Sequence, residues 1–529
     1  MIRVDERSTA GKPLPVREHA RLLIVGAGPA GLAAALEAAR LGVQAVLVDE
    51  HPVEPALMGL DVPFHFGQRM GGATRNRARM METIAGADAR IAEAFEAGVD
   101  IRLGVAAWGL FAPRPGLRWL TQRAAGLSDG ADCWYLSFDA AIIAAGRRDV
   151  GLAFPGWELP GVMGVTAAHA LLRRYDALDA ARIVILGSGA EATSFAQAAL
   201  GAGRTIAAVV EAAEAPRDAA GCAALAAEGV PVLTGAMVAR AAGRPDGLTH
   251  VLLRAPEGGE PREITCDTLV LAIGTAPAIE LLDAAGAEIL FVAARGGPVP
   301  RIDASGRTSI EGLFAAGDCA GLAAAKSTDP GIAAEEGRRA AAAACAMLAR
   351  PGSAPTWQPV ADTPDAAAED VAAQRATWIA AAMTVADAET PICQCEEVGL
   401  ADLLGVRPPR YLARDQAPML ARDLASLSRD GLVSQDQVKR LTRAGMGACQ
   451  GRRCREQVGA ILAHATGTPL GALPLPSHRA PVRPLPLAAF AEDLEPEAVT
   501  RNWDGWFGIA GQWEPFWTLP AQDEPGERS

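Results

Sequence analysis

Three glycines near the N-terminus have the spacing of a phosphate-binding turn. Gly26, Gly28 and Gly31 form a G-x-G-x-x-G pattern between the apolar run Leu22–Val25 and an alanine-rich segment. Gly26 allows the tight turn, Gly28 lets the backbone approach a diphosphate, and Gly31 permits close contact between helix and strand. The helix that follows offers unpaired N–H groups and its positive end to the phosphates. The residues predicted to hold the diphosphate are Gly26, Gly28, Pro29, Ala30 and Gly31.

Two acidic residues end the next apolar run, which begins at Val43. An acid about 20 residues after such a turn accepts hydrogen bonds from a ribose. Asp49 and Glu50 both meet this condition, and counting from Gly42 favours Asp49. The sequence therefore predicts a βαβ unit that binds an adenine dinucleotide, with either acid on the ribose.

Two later stretches favour FAD over NAD at this first site. Gly146 follows a buried apolar run, and GLFAAGDCAG contains Gly317 and Asp318. In flavoproteins with two dinucleotide domains, an Asp in this place binds the ribityl chain; the alternative is that Asp318 only caps a turn. Asp329 and Pro330 are predicted to start a helix, as N-cap and first residue, whose positive end faces the flavin pyrimidine.

A second turn repeats the pattern at Gly187 and Gly189, with Ala192 as the third small residue. Glu211 closes the next strand in the position of a ribose acceptor. This acid disfavours a 2′-phosphate, so NAD is expected rather than NADP if either binds. Glu191 places a carboxylate close to the phosphate position, so another adenine nucleotide, or a turn kept only for structure, stays open.

Four cysteines form two tight pairs near the C-terminus, Cys393 with Cys395 and Cys449 with Cys454. Four thiolates in this arrangement suit an iron–sulfur cluster, and they also suit a structural zinc ion. The glycine-rich loop around Gly445 favours a cluster, because its N–H groups can point at sulfur. Positive charge nearby would raise the reduction potential; the residues concerned are Arg443, Arg452, Arg453 and Arg455.

These motifs imply an α/β fold with two Rossmann-like dinucleotide-binding domains, as in glutathione-reductase-like flavoproteins. One domain is inserted in the other, and a small, mainly helical C-terminal domain carries the cysteines. The predicted divisions are 1–150 with 268–350 for the FAD domain, 151–267 for the NAD(P)-like domain, 351–391 for a linker, 392–467 for the cysteine domain and 468–529 for a Pro- and Trp-rich tail.

Composition excludes several other classes of protein. The 529-residue chain has a formal net charge of −13, which argues against nucleic acid as a partner. The N-terminus lacks the apolar core of a signal peptide, and the apolar helix at Ala340–Leu348 is too short for a membrane span. We therefore expect a cytoplasmic protein without a transmembrane segment, and peripheral contact with the inner face of the membrane stays open. Cys222 and Cys266 lie far apart, which disfavours a disulfide reductase.

With these residues in view, the chain resembles the FAD-containing α subunits of heteromeric amine and amino-acid dehydrogenases. This group includes opine oxidase, hydroxyproline dehydrogenase, dye-linked proline dehydrogenase and hydrogen cyanide synthase. The resemblance covers most of the chain. It rests on VGAGPAGLAAA, FPGWELPGVM, GLFAAGDCAG, CQCEEV and KRLTRAGMGACQGRRC. The last two together look like the 2Fe-2S domain appended to this group.

The resemblance implies a division of labour between subunits. A separate, amino-acid-oxidase-like β subunit with its own flavin oxidises a C–N bond, and a small ferredoxin-like subunit is a further partner left open. The present chain accepts electrons on FAD and a 2Fe-2S cluster and passes them onward, with no catalytic side chain of its own. The alternative is a self-sufficient NAD(P)H-dependent FAD/2Fe-2S reductase.

Overall fold

The computed structural model describes residues 14–51, 83, 86, 88–114, 120–254, 260–350, 356–360, 370–408 and 422–490. Most of the predicted Pro- and Trp-rich tail and parts of the predicted linker lie outside these residues. Within these ranges, no helix is both long enough and apolar enough to cross a membrane.

Strands make up much of the first 315 residues. In chain order they are β1 (Val16–Val25), β2 (Ala45–Asp49), β3 (Asp100–Leu103), β4 (Ala106–Phe111), β5 (Ala124–Ser128), β6 (Cys133–Ile143), β7 (Arg147–Asp149), β8 (Val162–Gly164), β9 (Arg182–Leu186), β10 (Thr205–Val210), β11 (Val232–Leu233), β12 (Met237–Arg244), β13 (Gly247–Arg254), β14 (Arg262–Thr265), β15 (Thr268–Leu271), β16 (Thr275–Pro277), β17 (Ile289–Val292), β18 (Gly297–Pro300), β19 (Leu313–Ala315), β20 (Pro391–Cys393) and β21 (Val398–Gly399).

Helices alternate with the strands and dominate the C-terminal part. They are α1 (Pro29–Arg40), α2 (Ala89–Glu96), α3 (Val165–Arg173), α4 (Ala190–Gly201), α5 (Ala219–Ala227), α6 (Glu280–Ala285), α7 (Ala324–Thr328), α8 (Pro330–Ala349), α9 (Val371–Met383), α10 (Leu400–Leu404), α11 (Leu424–Asp430), α12 (Gln435–Thr442) and α13 (Arg455–Thr466). Short 3-10 turns occur at Ala293–Arg295, Gly317–Ala320, Leu470–Ala472 and Leu487–Phe490.

The first sheet has the strand order β3-β2-β1-β6-β5-β4, and β19 also pairs with β6. Strands β1, β2, β3, β6 and β19 run parallel, while β4 and β5 are antiparallel additions. Leu22, Leu23 and Ile24 of β1 have no exposed surface, which is expected for a parallel strand covered on both faces. The chain therefore returns to the first sheet at β19, after the strands of the other sheets.

The second sheet is wholly parallel, with the order β11-β10-β9-β15-β8. It contains the second predicted βαβ unit, β9-α4-β10. In the sequence, all its strands lie between β6 and β19 of the first sheet. Strands β12, β13 and β14 form a separate three-stranded antiparallel sheet. The mixed α/β architecture expected from the two glycine turns is confirmed.

Small residues let two long helices cover the first sheet at close range. A Cβ atom added at Gly337 of α8 would lie 2.0 Å from the backbone oxygen of Ala30 in α1. Alanines fill the same contact from both helices, and many of them are fully buried. Asp329 is the N-cap of α8 and accepts a hydrogen bond from Gly331 N at 2.8 Å, and Pro330 is the first helical residue. This predicted helix start is confirmed.

Candidate functional site

The three glycines of the first turn serve two different purposes. Gly26 has φ +109°, and a Cβ there would lie 2.3 Å from Ala144 O; a Cβ at Gly31 would lie 1.8 Å from Gly26 O. These two glycines are therefore required by the fold itself. Gly28 is the N-cap of α1, its side-chain position faces open space within 4 Å, and Pro29 follows it as the first helical residue. The open space lies where a diphosphate would meet the helix N-terminus.

The two candidate ribose acids point to different surroundings. Asp49 lines a cavity beside the turn, and its Oδ2 accepts a hydrogen bond from Ala27 N at 2.5 Å. Glu50 instead forms an ion pair with Arg483, from the C-terminal part of the chain. Burial alone would raise the pKa of the Glu50 carboxyl, but the charges of Arg483 and Arg452 lower it to about 2. Asp49 is thus the acid beside the turn.

The cavity next to Asp49 has a volume of about 470 Å³, within the usual range for a cofactor pocket. One wall is formed by the first turn and the opposite wall by Ala190 and Glu191 of α4. Guanidinium groups suit recognition of phosphates. The arginines that line the cavity are Arg90, Arg147, Arg173 and Arg174.

Asp318 lies in the 3-10 turn that follows β19, and Arg147 connects it to the second turn. Arg147 Nε lies 3.6 Å from Asp318 Oδ2, and Arg147 Nη1 lies 2.8 Å from Glu191 Oε1. Gly146, with φ +71°, sets the backbone direction just before Arg147. The predicted flavin residues Gly146, Gly317 and Asp318 are therefore brought together at the carboxyl ends of β6 and β19.

The second turn has the same backbone geometry as the first, but the acid that follows it, Glu211, has different surroundings from Asp49. A Cβ at Gly187 would lie 2.1 Å from Ala272 O, and Gly189 is an open N-cap like Gly28. Glu211 is only 1% exposed, and its Oε2 accepts hydrogen bonds from Ser188 N at 3.1 Å and Ser188 Oγ at 2.6 Å. The carboxylate predicted to hold a ribose is thus already bonded within its own turn.

The four cysteines of the C-terminal part lie in a continuous line of thiol contacts. The Sγ atoms of Cys393 and Cys395 are 3.9 Å apart, those of Cys395 and Cys449 are 3.7 Å apart, and Cys454 interacts with Cys393. Gly445 N donates to Cys393 Sγ at 3.4 Å, as expected from the glycine-rich loop. The hydrogen bond with Cys395, together with burial, raises the pKa of the Cys449 thiol. A thiol of this kind would have to lose its proton to bind a metal.

All-thiol donor sets bind both structural zinc ions and iron–sulfur clusters, so the four cysteines are compatible with either metal group. Among the residues that the structure describes, no group of three or more His, Cys, Asp or Glu side chains already has the arrangement of a metal site.

Two of the four arginines expected near the cysteines interact with the thiols. Arg453 is 5% exposed, acts electrostatically on all four cysteines and donates from Nη1 to Gln394 Oε1 at 2.6 Å. Arg452 interacts electrostatically with Cys449 and with Glu50. Arg443 pairs with Glu396, the residue after Cys395, and Arg455 pairs with Glu280 and Glu456.

Two hydrogen bonds fix the strand that carries the first cysteine. Trp157 Nε1 donates to Pro391 O at 2.6 Å, and Gln457 Nε2 donates to Ile392 O at 2.8 Å. Trp157 is 1% exposed. Its segment, Phe154–Met163, is one of the stretches on which the family resemblance rests. The sequence did not indicate this contact, because a hydrogen bond to Pro391 depends on tertiary structure.

Trp157→Phe is expected to lower stability by about 1–3 kcal/mol, because the indole donor to Pro391 O is lost. The measurement is the thermal midpoint together with the retained metal content. Trp108→Phe is the matched control, since Trp108 is also buried and donates from Nε1 to Leu127 O at 3.0 Å. In protein purified with bound metal, only the Trp157 variant should lose it on heating below its unfolding midpoint; equal metal loss in both variants would contradict the expectation.

A mainly parallel first sheet and a wholly parallel second sheet, each with a glycine turn, form the mixed α/β architecture of a flavin-dependent oxidoreductase. The chain belongs to the pyridine nucleotide-disulphide oxidoreductase family, whose model matches residues 20–347. A second model, the sarcosine oxidase A3 domain, matches residues 416–493.

The chain is similar to single subunits of several known enzymes. It is 28% identical to one subunit of the opine oxidase of Agrobacterium tumefaciens (strain Ach5), over 89% of this chain and 91% of that one. It is 28% identical to the HcnB subunit of the hydrogen cyanide synthase of Pseudomonas aeruginosa, over 90% and 99%. It is 26% identical to the alpha subunit of the sarcosine oxidase of Corynebacterium sp. (strain P-1), over 96% of this chain and 50% of that one.

A solved structure shares the fold over most of the chain. The crystal structure of L-proline dehydrogenase from P. horikoshii matches with a TM-score of 0.57 and 19% identity, over 90% of this chain and 80% of that one.

Proposed function

We propose that this chain is the electron-transfer subunit of a heteromeric FAD-dependent amino-acid or amine dehydrogenase of the opine or hydroxyproline type. The observation that carries the proposal is that the chain with a dinucleotide turn also brings together four cysteines, of which none forms a disulfide. The relatives named as subunits of opine oxidase, sarcosine oxidase and hydrogen cyanide synthase support a role within a complex.

FAD fits the first site because of the open space at Gly28 and the arginine-lined cavity beside Asp49. In this proposal the N-terminus of α1 binds the diphosphate, Asp49 binds the ribose and Asp318 binds the ribityl chain. The N-terminus of α8, capped by Asp329, places a positive dipole end near negative charge on the flavin. The bound FAD supplies the redox chemistry, while the chain positions it and sets its electrostatics.

A 2Fe-2S cluster fits the four cysteines because the donor set consists of thiols alone and a backbone N–H of the glycine-rich loop already points at one sulfur. Cys393, Cys395, Cys449 and Cys454 would hold the irons, with Gly445 N and the charge of Arg453 stabilising negative charge on sulfur. The domain divisions given from the sequence, including 392–467 for the cluster, belong to this proposal, with one correction. Strand β15 (Thr268–Leu271), assigned from the sequence to the FAD domain, pairs with β8 and β9 of the second sheet, so the chain returns to the FAD domain only after residue 271.

The partner expected from this proposal is an amino-acid-oxidase-like flavoprotein subunit that oxidises the substrate. The test is a dye-linked assay with opines, hydroxyproline and other secondary amines, using the purified chain alone and then with the partner added. We expect turnover only with the partner, since this chain has no assigned substrate-oxidising side chains. Robust turnover by the chain alone would contradict the assignment.

The second candidate is a self-sufficient NAD(P)H-dependent reductase, because the chain contains a second glycine turn. Glu191 in the first turn of α4 disfavours a diphosphate there. Both Asp49 and Glu211 accept bonds from backbone N–H groups of their turns, but Glu211 is also bonded to the Ser188 hydroxyl and is only 1% exposed. We therefore expect anaerobic NADH to leave the flavin absorbance unchanged on the timescale of seconds. Rapid bleaching by NADH would favour the reductase instead; dithionite provides the control, because it should bleach the flavin in either case.

A further inference from the structure

Four buried charged side chains meet where the first part of the chain contacts the cysteine-bearing part. Arg148 of β7, Glu280 of α6, and Arg455 and Glu456 of α13 are each at most 6% exposed. The group contains two guanidinium groups and two carboxylates, so its formal charges cancel. Removing one member of such a buried group leaves a charge without a counter-charge, which is strongly destabilising. The four side chains are therefore held in a fixed arrangement relative to one another.

Direct contacts join all four side chains. Arg148 Nη2 lies 2.7 Å from Glu456 Oε1, and Arg148 also pairs with Glu280. Arg455 Nη1 lies 3.2 Å from Glu280 Oε1, and Arg455 Nη2 lies 2.5 Å from Glu456 Oε1. Burial and the charge of Arg455 lower the pKa of Arg148 to about 9, so Arg148 remains charged at neutral pH.

The same strand contacts both candidate cofactor sites through consecutive residues. Arg147 lies 3.6 Å from Asp318, which is assigned to the flavin, while Arg148 bonds Glu456. Glu456 lies two residues after Cys454, the N-cap of α13 and an assigned ligand of the cluster. Successive side chains of a strand point to opposite sides, which allows one dipeptide to contact two different sites. The sequence Arg147-Arg148 thus connects the flavin site with the helix that begins at the cluster.

We propose that Arg148 is a positioning residue that fixes the cluster-bearing helix relative to the flavin site and so permits electron transfer between them. The inference rests on the proposed function, because it needs both cofactors. Each event moves one electron from reduced flavin to oxidised cluster, with no covalent bond formed or broken. The flavin releases its proton to water, and the external electron acceptor reoxidises the cluster before the second electron follows.

The test uses the full-length holoprotein and the variant Arg148→Met. After anaerobic flash reduction with photoexcited deazaflavin, absorbance reports the rate of electron exchange between flavin and cluster. Electron transfer between two cofactors slows exponentially as their separation grows, so we expect the exchange to slow by several-fold when the helix is displaced. The electron paramagnetic resonance spectrum of the reduced cluster should keep its g values, because no ligand is changed.

Arg307→Met is the matched control, because Arg307 also forms a largely buried ion pair, with Asp303 at 2.8 Å, away from this group of charges. We expect wild-type exchange in this control. Arg148→Lys keeps the charge but cannot bond two carboxylates as a guanidinium does, and it should give an intermediate rate. This variant provides the test if the Met variant does not fold.

Wild-type exchange rates in Arg148→Met or Arg148→Lys, with both cofactors bound, would overturn the positioning role. That outcome differs from failure of the proposed function itself, in which the wild-type protein would contain no iron or no flavin.

Discussion

Gly28→Val is expected to yield a folded protein that no longer retains FAD. Gly28 has an extended backbone with φ −77° and ψ −176°, and a Cβ at this position has no neighbour within 4 Å. The valine side chain would instead occupy the space in which the cofactor diphosphate meets the N-terminus of α1. We expect FAD affinity to fall by about 100-fold, equivalent to about 3 kcal/mol. Flavin fluorescence released on ultrafiltration, together with the thermal midpoint of the apoprotein, measures both effects.

Gly189→Val is the matched control in the second turn. Gly189 is the N-cap of α4, with φ −76° and ψ 175°, and it also has open space around its side-chain position. The same substitution there should leave FAD binding unchanged, because FAD is assigned to the first turn. Retention of FAD by the Gly28 variant and its loss from the Gly189 variant would show that the two sites had been assigned the wrong way round.

Cys449→Ser is expected to remove the iron–sulfur cluster while leaving FAD in place. Cys449 is 1% exposed, and its Sγ atom lies 3.7 Å from the Sγ atom of Cys395. Mutation of a residue that only hydrogen-bonds to a metal ligand already lowers metal affinity by about 10–100-fold. Loss of the ligand itself should therefore reduce bound iron by at least about tenfold. Iron and acid-labile sulfide assays and the electron paramagnetic resonance signal of the reduced protein measure the effect.

Cys345→Ser is the control, because Cys345 is buried in α8 and is not assigned to the cluster. Its iron and sulfide content should equal that of the wild type. Wild-type protein that contains zinc without sulfide would contradict the cluster. Full activity of the complex with Cys449→Ser would contradict its role in electron transfer and would favour a purely structural role for the chain.

The phosphate turns and the start of α8 could be predicted because their requirements are local. Gly26 and Gly31 touch backbone atoms of their own turn and of the adjacent strand, and Asp329 caps the helix that begins one residue later. In each case the residue type follows from backbone geometry over a few residues. The four cysteines could also be recognised together, because their two pairs have ligand spacing.

Counting residues favours Asp49 over Glu50, but the sequence does not show the side chains around either acid. In the structure Arg483, from the other end of the chain, pairs with Glu50, while Asp49 lies beside the turn. The pairing of Glu211 with Ser188 has a similar origin, since the same local motif would accommodate a ribose. These side-chain contacts depend on the fold, and the motif alone does not specify them.

Contacts between distant parts of the chain were also beyond prediction. Arg148, Glu280 and Glu456 have no shared motif, and only the fold brings them together. The adjacent pair Arg147-Arg148 after a buried strand was a weak signal that two charges must be accommodated near the flavin site. The sequence could not show that one of them is buried against the helix following Cys454.

The most direct test of the central claim is cofactor analysis of the full-length protein after strictly anaerobic purification. We expect a yellow-brown protein that contains FAD and equal amounts of iron and acid-labile sulfide, at about two of each per chain. A colourless protein that is correctly folded but contains neither flavin nor iron would contradict it.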